Sequence, residues 1–113
     1  MKLLTLLCLL FGITTNILAQ ENEASINEGH DLVVNRQMGN CLACHLIQGE
    51  DGPGNYGPPL IAMKDRLPDR TVLFDQIWDA TQKNPNTSMP PFGKNMILTK
   101  EEIDKIVSYL LTL

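Results

Sequence analysis

The segment Cys41-Leu42-Ala43-Cys44-His45 constrains this chain more than any other feature of its sequence. Two thiols three positions apart on one helical turn can both reach the same edge of a planar ring system. A histidine directly after the second thiol then lies beneath the centre of that ring. C-x-x-C-H is the attachment signature of c-type haem. The motif predicts one haem c, bound covalently through Cys41 and Cys44, with His45 as an iron ligand.

Three other uses of the two cysteines fit the sequence less well. A redox dithiol is expected within a βαβ pattern, and none surrounds this segment. A zinc site needs four ligands, whereas His30 is the only further histidine or cysteine after the first nineteen residues. A disulfide between Cys41 and Cys44 would close a very short loop and would stabilise little.

The first nineteen residues are typical of a secretory signal peptide. Lys2 is followed by a hydrophobic run that reaches Ala19, before a polar stretch. The run is short for a membrane span, which needs about 20 apolar residues, so cleavage is favoured over a retained N-terminal anchor. We predict a signal peptide over residues 1–19, removal of Cys8 with it, export to the periplasm, and no stable membrane anchor after cleavage.

The remaining domain, residues 20–113, is small and acidic. Lys2 is the only charge in the leader, so the formal net charge of −4 for the whole chain becomes −5. Such a chain has no basic stripe to neutralise phosphates, which argues against nucleic-acid binding. Aromatic residues make up only 5% of the sequence, so an all-protein core would be thin. Domains of this size often need a disulfide, a metal or a cofactor as a staple.

Hydrophobic periodicity predicts an all-α domain, with three to five helices and long loops wrapped around one covalently bound haem. The C-terminal helix is the clearest, because Thr99 and Glu102 form a capping box ahead of apolar residues at helical spacing. Composition predicts loops over residues 49–59 and 84–93. Further helical segments are expected over residues 27–37, 41–47, 60–66 and 70–82, the last capped by Asp69, after a polar lead-in at residues 20–25.

Gly29 lies on the first predicted helix and has no side chain. It would allow the C-terminal helix to approach closely, with Val33 one turn on and Tyr109 opposite. Alternatively, Gly29 only frays the start of the helix.

A haem iron with one histidine ligand has a sixth position to fill. The candidates are Met38, Met63, Met89, Met96, His30, or no protein ligand. Met89 is favoured because Pro90 and Pro91 hold the following backbone extended, so that a loop can present the sulfur. Met63 and Met96 are interpreted as flexible core fillers. Met38 and His30 precede the haem motif and are poorly placed.

The loop after the motif offers a partner for the histidine. An axial imidazole needs an acceptor on its second nitrogen to fix its orientation. Gly57-Pro58-Pro59-Leu60 begins 12 residues after His45, and the carbonyl of Pro58 is the predicted acceptor. The alternative is an ordinary turn.

These motifs together resemble a known family. From Gly39 onward the order of elements is similar to class I monohaem cytochromes c, and more narrowly to SoxX, the small cytochrome subunit of SoxAX complexes. The strings that carry the resemblance are G-N-C-L-A-C-H (39–45), G-N-Y-G-P-P-L (54–60), N-P (84–85), M-P-P-F-G (89–93), and Leu98-Thr99 with Glu102-Ile103.

The resemblance implies thioether links on Cys41 and Cys44 and iron ligation by His45 and Met89. It also implies a periplasmic heterodimer with a SoxA-like cytochrome, an L-cysteine S-thiosulfotransferase that joins thiosulfate to a carrier-protein cysteine with release of two electrons. The chain is expected to be the redox subunit of such a complex and to pass electrons to an acceptor cytochrome.

Two other functions stay open at this point. One is a free-standing electron shuttle to a terminal oxidase; the other is a haem-based sensor or peroxidase, which needs an open iron position and is disfavoured by Met89. A shuttle tends to carry a charged docking patch. Residues 39–47 and 89–93 contain no charge, which favours a lasting, largely apolar contact. With Cys41 and Cys44 bound to haem, a reactive cysteine would have to come from a partner.

Overall fold

The computed structural model describes residues 22–52 and 54–113, so the predicted signal peptide over residues 1–19 lies outside the described residues. Within that part the elements are helical: α1 over residues 22–34, a 3₁₀ turn at Cys41–Ala43, α2 at Met63–Arg66, α3 at Arg70–Trp78, a second 3₁₀ turn at Ala80–Gln82, and α4 at Lys100–Leu110. The described residues contain no strand beyond an isolated bridge between Ile47 and Leu60. The all-α class is confirmed.

α1 differs from its predicted range at both ends. Residues 22–25, expected to be a polar lead-in, are helical, and Glu23 and Ala24 among them are good helix formers. The helix ends at residue 34 instead of 37. Asn35 explains this end, because its side-chain oxygen accepts a hydrogen bond from the backbone N–H of Gln37 at 2.8 Å and competes with helical bonding.

The close approach of the first and last helices is confirmed. A Cβ placed on Gly29 would lie 2.1 Å from the backbone oxygen of Lys105, a distance that real side chains do not tolerate. Val33, one turn on, is fully buried, and the ring of Tyr109 meets His30 edge-on at 5.1 Å between centroids. A salt bridge between Glu28 and Lys105 lies at the edge of the same contact.

α4 begins as its sequence predicts. The hydroxyl of Thr99 accepts a hydrogen bond from the backbone N–H of Glu102 at 3.2 Å, and the carboxylate of Glu102 accepts one from the N–H of Thr99 at 2.8 Å. The buried face of the helix supplies much of the core: Ile103, Ile106, Val107, Tyr109 and Leu110. Arg70 connects α3 to this helix through Asp104 at 2.8 Å.

The predicted helix over residues 70–82 is interrupted at Asp79. Asp69 caps its start as expected, with its carboxylate 2.8 Å from the backbone N–H of Thr71. At Asp79 the backbone turns to φ −153°, and the side chain accepts from the N–H of Thr81 to cap a separate 3₁₀ turn. A carboxylate that bonds to the nearby backbone in this way competes with helix continuation.

Two other short segments also differ from expectation. The segment predicted as a helical turn over residues 41–47 is helical only at Cys41–Ala43, because Ile47 leaves it to pair with Leu60. α2 begins at Met63 and not at residue 60, since Ala62 takes a left-handed conformation with φ 47°.

The two methionines interpreted as core fillers have opposite environments. Met63 is 2% exposed and belongs to the core. Met96 is 89% exposed, so its assignment to the core was wrong. Its backbone has φ 55°, a turn conformation that directs the chain toward buried Leu98 without burying Met96 itself. None of the helices in the described segments is both long and apolar enough to span a bilayer.

Candidate haem site

The turn that carries the two cysteines is fixed by its backbone. Asn40, in a left-handed conformation with φ 48°, precedes the 3₁₀ turn, and the carbonyl of Cys41 accepts hydrogen bonds from the N–H groups of Cys44 and His45 at 3.2 and 2.9 Å. Gly39 allows the turn to approach α1, since a Cβ there would lie 2.6 Å from the carbonyl oxygen of Leu32.

Both cysteines are free thiols in this turn. Cys41 is partly buried, whereas Cys44 is exposed. Burial raises the pKa of the Cys41 thiol to about 11, so that it is protonated at neutral pH. Reactive dithiols depend on a thiolate of lowered pKa. The surroundings of Cys41 therefore do not favour the thiolate on which a redox dithiol depends.

His45 is held in one orientation by the loop that follows it. Its Nδ1 lies 2.6 Å from the carbonyl oxygen of Pro58, the acceptor suggested by the sequence. A carbonyl can only accept, so Nδ1 carries the proton and Nε2 keeps its lone pair for a metal. Arg66 donates from its guanidinium to the carbonyls of Pro59 and Ile61 at 2.7 and 3.2 Å, which holds this loop in place.

Gly57 packs directly against the imidazole, a role that sequence analysis missed. A Cβ at this position would lie 2.5 Å from Cε1 and 2.7 Å from Nδ1 of His45. The backbone N–H of Gly57 also donates to the carbonyl of Cys44 at 2.7 Å. The available signal was a glycine just before the proline pair, where a close approach is often the reason for glycine.

The loop that carries Met89 is attached to α3. The carbonyl of Trp78, at the end of that helix, accepts hydrogen bonds from the N–H groups of Gly93 and Lys94, both at 3.2 Å. Gly93 lies on the indole, where a Cβ would be 2.0 Å from the ring. The N–H of Met89 donates to the hydroxyl of Thr87 at 3.1 Å, and the side chain is partly buried against the core.

One side-chain hydrogen bond joins the two loops. The hydroxyl of Tyr56, in the loop after the haem motif, lies 3.1 Å from that of Ser88, next to Met89. No sequence pattern indicated this contact, because the two residues are 32 positions apart.

These segments surround a cavity of about 670 Å³. Cofactor cavities are typically about 300–1,000 Å³ with mostly apolar walls and a few polar groups. Cys41, Cys44, His45, Pro58 and Met89 all line this one. The apolar walls are Leu60, Met63, Leu67, Leu73, Ile77, Phe92, Ile97, Leu98, Ile106 and Leu110. Two thiols, a free imidazole nitrogen, a thioether and apolar walls are the donor set that a haem requires, so these residues fit the group.

The other candidate ligands are distributed around the cavity and away from it. Met38 and Met63 line it, whereas Met96 does not. His30 lies outside and is engaged elsewhere, with Nε2 2.7 Å from the carboxylate of Glu50. This carboxylate is the main reason that the pKa of His30 is raised.

The cavity is lined by charged side chains, although the segments around the proposed ligands, residues 39–47 and 89–93, carry none. Arg36, Arg66 and Lys83 line it, and no acidic side chain does so among the described residues. These cations lie outside residues 39–47 and 89–93, so the local sequence around the ligands gave no sign of them. The cavity is therefore basic in an otherwise acidic chain.

A small helical domain whose loops close over such a cavity, with C-x-x-C-H at its wall, has the architecture of a cytochrome c. The comparisons place it more narrowly. The chain belongs to the family described as cytochrome c oxidase, cbb3-type, subunit III, whose model matches residues 24–110. The family's haem c electron-transfer chemistry therefore applies to this domain.

Two curated relatives contain a similar segment. One is an uncharacterized lipoprotein of Aquifex aeolicus (strain VF5), 36% identical over 75 residues that cover 66% of this chain and 36% of the lipoprotein. The other is the cbb3-type cytochrome c oxidase subunit CcoP of Azospirillum sp. (strain B510), 35% identical over 83 residues that cover 66% of this chain and 27% of that subunit. The chain spans only about a third of these longer proteins.

A solved structure extends the likeness to the fold. The crystal structure of SoxXA from P. pantotrophus matches with a TM-score of 0.68 and 27% identity, over 76% of this chain and 79% of that chain. The resemblance to SoxX drawn from sequence is thereby confirmed: the chain is a SoxX-like cytochrome.

Proposed function

We propose that this chain is an exported, periplasmic electron-transfer subunit with one haem c, attached through Cys41 and Cys44 and ligated by His45 and Met89. Its partner is a SoxA-like cytochrome, and the pair acts as an L-cysteine S-thiosulfotransferase in thiosulfate oxidation. The electrons released pass to an acceptor cytochrome. The signal peptide over residues 1–19 directs the export.

One observation carries the ligand assignment. The cavity has His45 on its wall, with Nδ1 committed to Pro58 and Nε2 left free, and it also has Met89 on a loop anchored to α3. Of the other candidates, His30 is bonded to Glu50 and Met96 does not reach the cavity. Histidine and methionine ligation raises the potential of a c-type haem, which suits an electron acceptor.

The haem supplies reversible one-electron chemistry when bound. The chain's own residues hold and surround it. Pro58 and Gly57 fix the imidazole, the first through a hydrogen bond and the second through close packing. The apolar walls would limit the access of water to a bound haem, which is one way in which a protein sets the reduction potential of a metal site.

The partner is inferred from what this chain lacks after haem attachment. Its two cysteines are then thioethers, and His30 is held by Glu50, so the described residues offer no activated nucleophile for sulfur transfer. A reactive cysteine must therefore come from another subunit. The likeness to the SoxXA structure supports a SoxA-like partner.

Spectroscopy of ligand variants tests the haem site. The exported protein is expected to keep its colour through acid-acetone extraction, because the haem is covalent. Met89→Ala is expected to lose the weak near-infrared sulfur-to-iron band of the ferric protein. Met96→Ala, at an exposed methionine, is the matched control and should keep it. A Met89→Ala protein that keeps the band would show that another methionine is the ligand.

A second function is favoured by the family itself. The matched family and the CcoP relative are named for cbb3-type oxidases, and the cations around the cavity are a feature of transient docking to an acidic partner. The second candidate is therefore a free-standing shuttle to a terminal oxidase.

Reconstitution with a partner separates the two functions. The isolated holoprotein is expected to accept electrons from small donors and to show no thiosulfate-dependent conjugation of a carrier cysteine. Adding a SoxA-like cytochrome should yield that activity, in a stable complex that co-purifies with this chain. A protein that stays monomeric with this partner and reduces a terminal oxidase rapidly, with strong salt dependence, would be the shuttle.

A further inference from the structure

Gln76 is a polar side chain on an apolar wall of the cavity. It lies on α3 between Leu73 and Ile77, which are 3% and 6% exposed, and all three line the cavity. A partly buried amide in such a place is costly unless it finds a hydrogen-bond partner. The structure gives its Nε2 one: the sulfur of Met89, at 3.8 Å.

The acceptor in this bond is the sixth ligand of the proposed function. A thioether sulfur has two lone pairs and accepts hydrogen bonds weakly. A metal occupies one of the pairs, and an N–H donor can hold the other at the same time. Such a donor withdraws electron density from the sulfur and makes it a weaker donor to a metal.

We propose that Gln76 is a positioning residue that acts through Met89 and raises the reduction potential of the haem. A weaker sulfur donor favours the ferrous over the ferric state, because the ferric iron depends more on electron donation by its ligands. Hydrogen bonds to ligand atoms are an established means by which proteins tune potentials. This inference rests on Met89 as a ligand, which the proposed function supplies.

Nothing in the sequence alone points to Gln76. The motifs locate the proposed ligands. Gln76, in contrast, lies on α3, and Met89 follows it by 13 positions in a loop. Only the fold of α3 against the methionine loop, through the carbonyl of Trp78, brings the amide to the sulfur.

The test is Gln76→Leu in the full-length holoprotein, which keeps the bulk and removes the donor. The equilibrium constant for haem reduction is expected to fall about two- to tenfold, the range of one hydrogen bond, and the midpoint potential to fall accordingly. Cyanide should displace the ferric protein's methionine no more readily than in the wild type, because the sulfur has become a stronger donor. Gln48→Leu, at an exposed glutamine outside the cavity, is the matched control.

Two outcomes would overturn the proposal. A Gln76→Leu protein with the wild-type potential would show that the hydrogen bond does not tune the haem. A lower potential together with tighter cyanide binding would show that Gln76 only holds the methionine loop in place.

The near-infrared band of Met89→Ala, measured in parallel, keeps the two proposals apart. If Met89→Ala loses the band and Gln76→Leu keeps the wild-type potential, the role of Gln76 is rejected and Met89 remains the ligand. If Met89→Ala keeps the band, the assignment of Met89 as the ligand is rejected.

A measurement on the wild type covers the case in which Gln76→Leu does not fold. The side-chain amide protons of Gln76 are expected to exchange with solvent more slowly than those of exposed Gln48. Exchange at the same rate as Gln48 would overturn the proposal.

Discussion

At the scale of single residues, the site depends on positions where a side chain is absent. Gly57 lies against the ring of His45 and Gly93 against the ring of Trp78, and in both places a single methyl group has no room. The ligand loops therefore owe their positions to close packing as well as to hydrogen bonds. The sequence motifs identify the candidate ligands but not the glycines that leave space for them.

Gly57→Ala tests this packing. The added methyl group would lie 2.5 Å from Cε1 of His45 and must displace either the ring or the loop. We expect partial loss of the low-spin spectrum and a loss of about 1–3 kcal/mol of unfolding free energy, as in overpacked cores. Visible spectra and denaturant unfolding of the holoprotein measure both.

Gly49→Ala is the matched control for this substitution. Gly49 has nothing within 4 Å but takes φ 89°, so alanine there adds backbone strain without touching the imidazole. It should lower stability and leave the spectrum unchanged. A Gly57→Ala protein that behaves in the same way would show that contact with the ring is unimportant.

At the scale of elements, α1 and α4 approach each other closely at Gly29. Gly29→Leu would place a large side chain where the backbone of Lys105 already lies. We expect a loss of about 1–3 kcal/mol in unfolding free energy, because the helices must separate. Asn27→Leu, at an exposed position on the same helix, is the control. Equal stability of the two variants would mean that Gly29 does no more than fray the helix.

A second link connects α1 to the loop after the haem motif. His30 bonds to Glu50 at 2.7 Å, with Asp31 at 3.4 Å and the edge of Tyr109 close by. The carboxylate of Glu50 is the main cause that raises the pKa of His30; burial opposes it, and Asp31 adds a smaller contribution in the same direction as Glu50.

This link predicts a pH dependence of stability. The pKa of His30 is higher in the folded than in the unfolded protein. The ion pair of His30 with Glu50 therefore stabilises the fold fully below the unfolded pKa of about 6.5, and this stabilisation is lost as pH rises through the folded pKa. Unfolding of the holoprotein followed across that range should show the decline, and Glu50→Gln should flatten it. If stability falls with pH as steeply in Glu50→Gln as in the wild type, the pair of His30 and Glu50 is not the cause of the pH dependence.

At the scale of the whole molecule, a cavity interrupts the protein core. Five of the buried residues belong to α4, and several apolar residues face the cavity. A bound haem would fill that cavity and complete the core. Replacing Cys41 or Cys44 by alanine is therefore expected to leave little stable protein in the exported fraction, measured by haem stain and immunoblot. Normal levels of haem-free protein would show that the helices are stable by themselves.

The all-α fold was predictable from sequence, as was the bond between His45 and the carbonyl of Pro58, whereas other contacts between distant segments were not. C-x-x-C-H and the capping box at Thr99 are local patterns whose meaning does not depend on the rest of the chain. The break at Asp79 was missed because the periodicity of residues 70–82 continues through it. Gln76 and the three cations reach the cavity only through folding, so no local pattern could reveal them.

The contact between Gly29 and Lys105 has a consequence for the order of events in maturation. The two residues are 76 positions apart, so this contact closes a loop that contains the cysteines and most of the chain. Chains are synthesised from the N-terminus, so α1 cannot make its contact with α4 until nearly the whole chain has been made. Until then this contact cannot restrict access to Cys41 and Cys44, so haem attachment is expected to precede closure of the two ends.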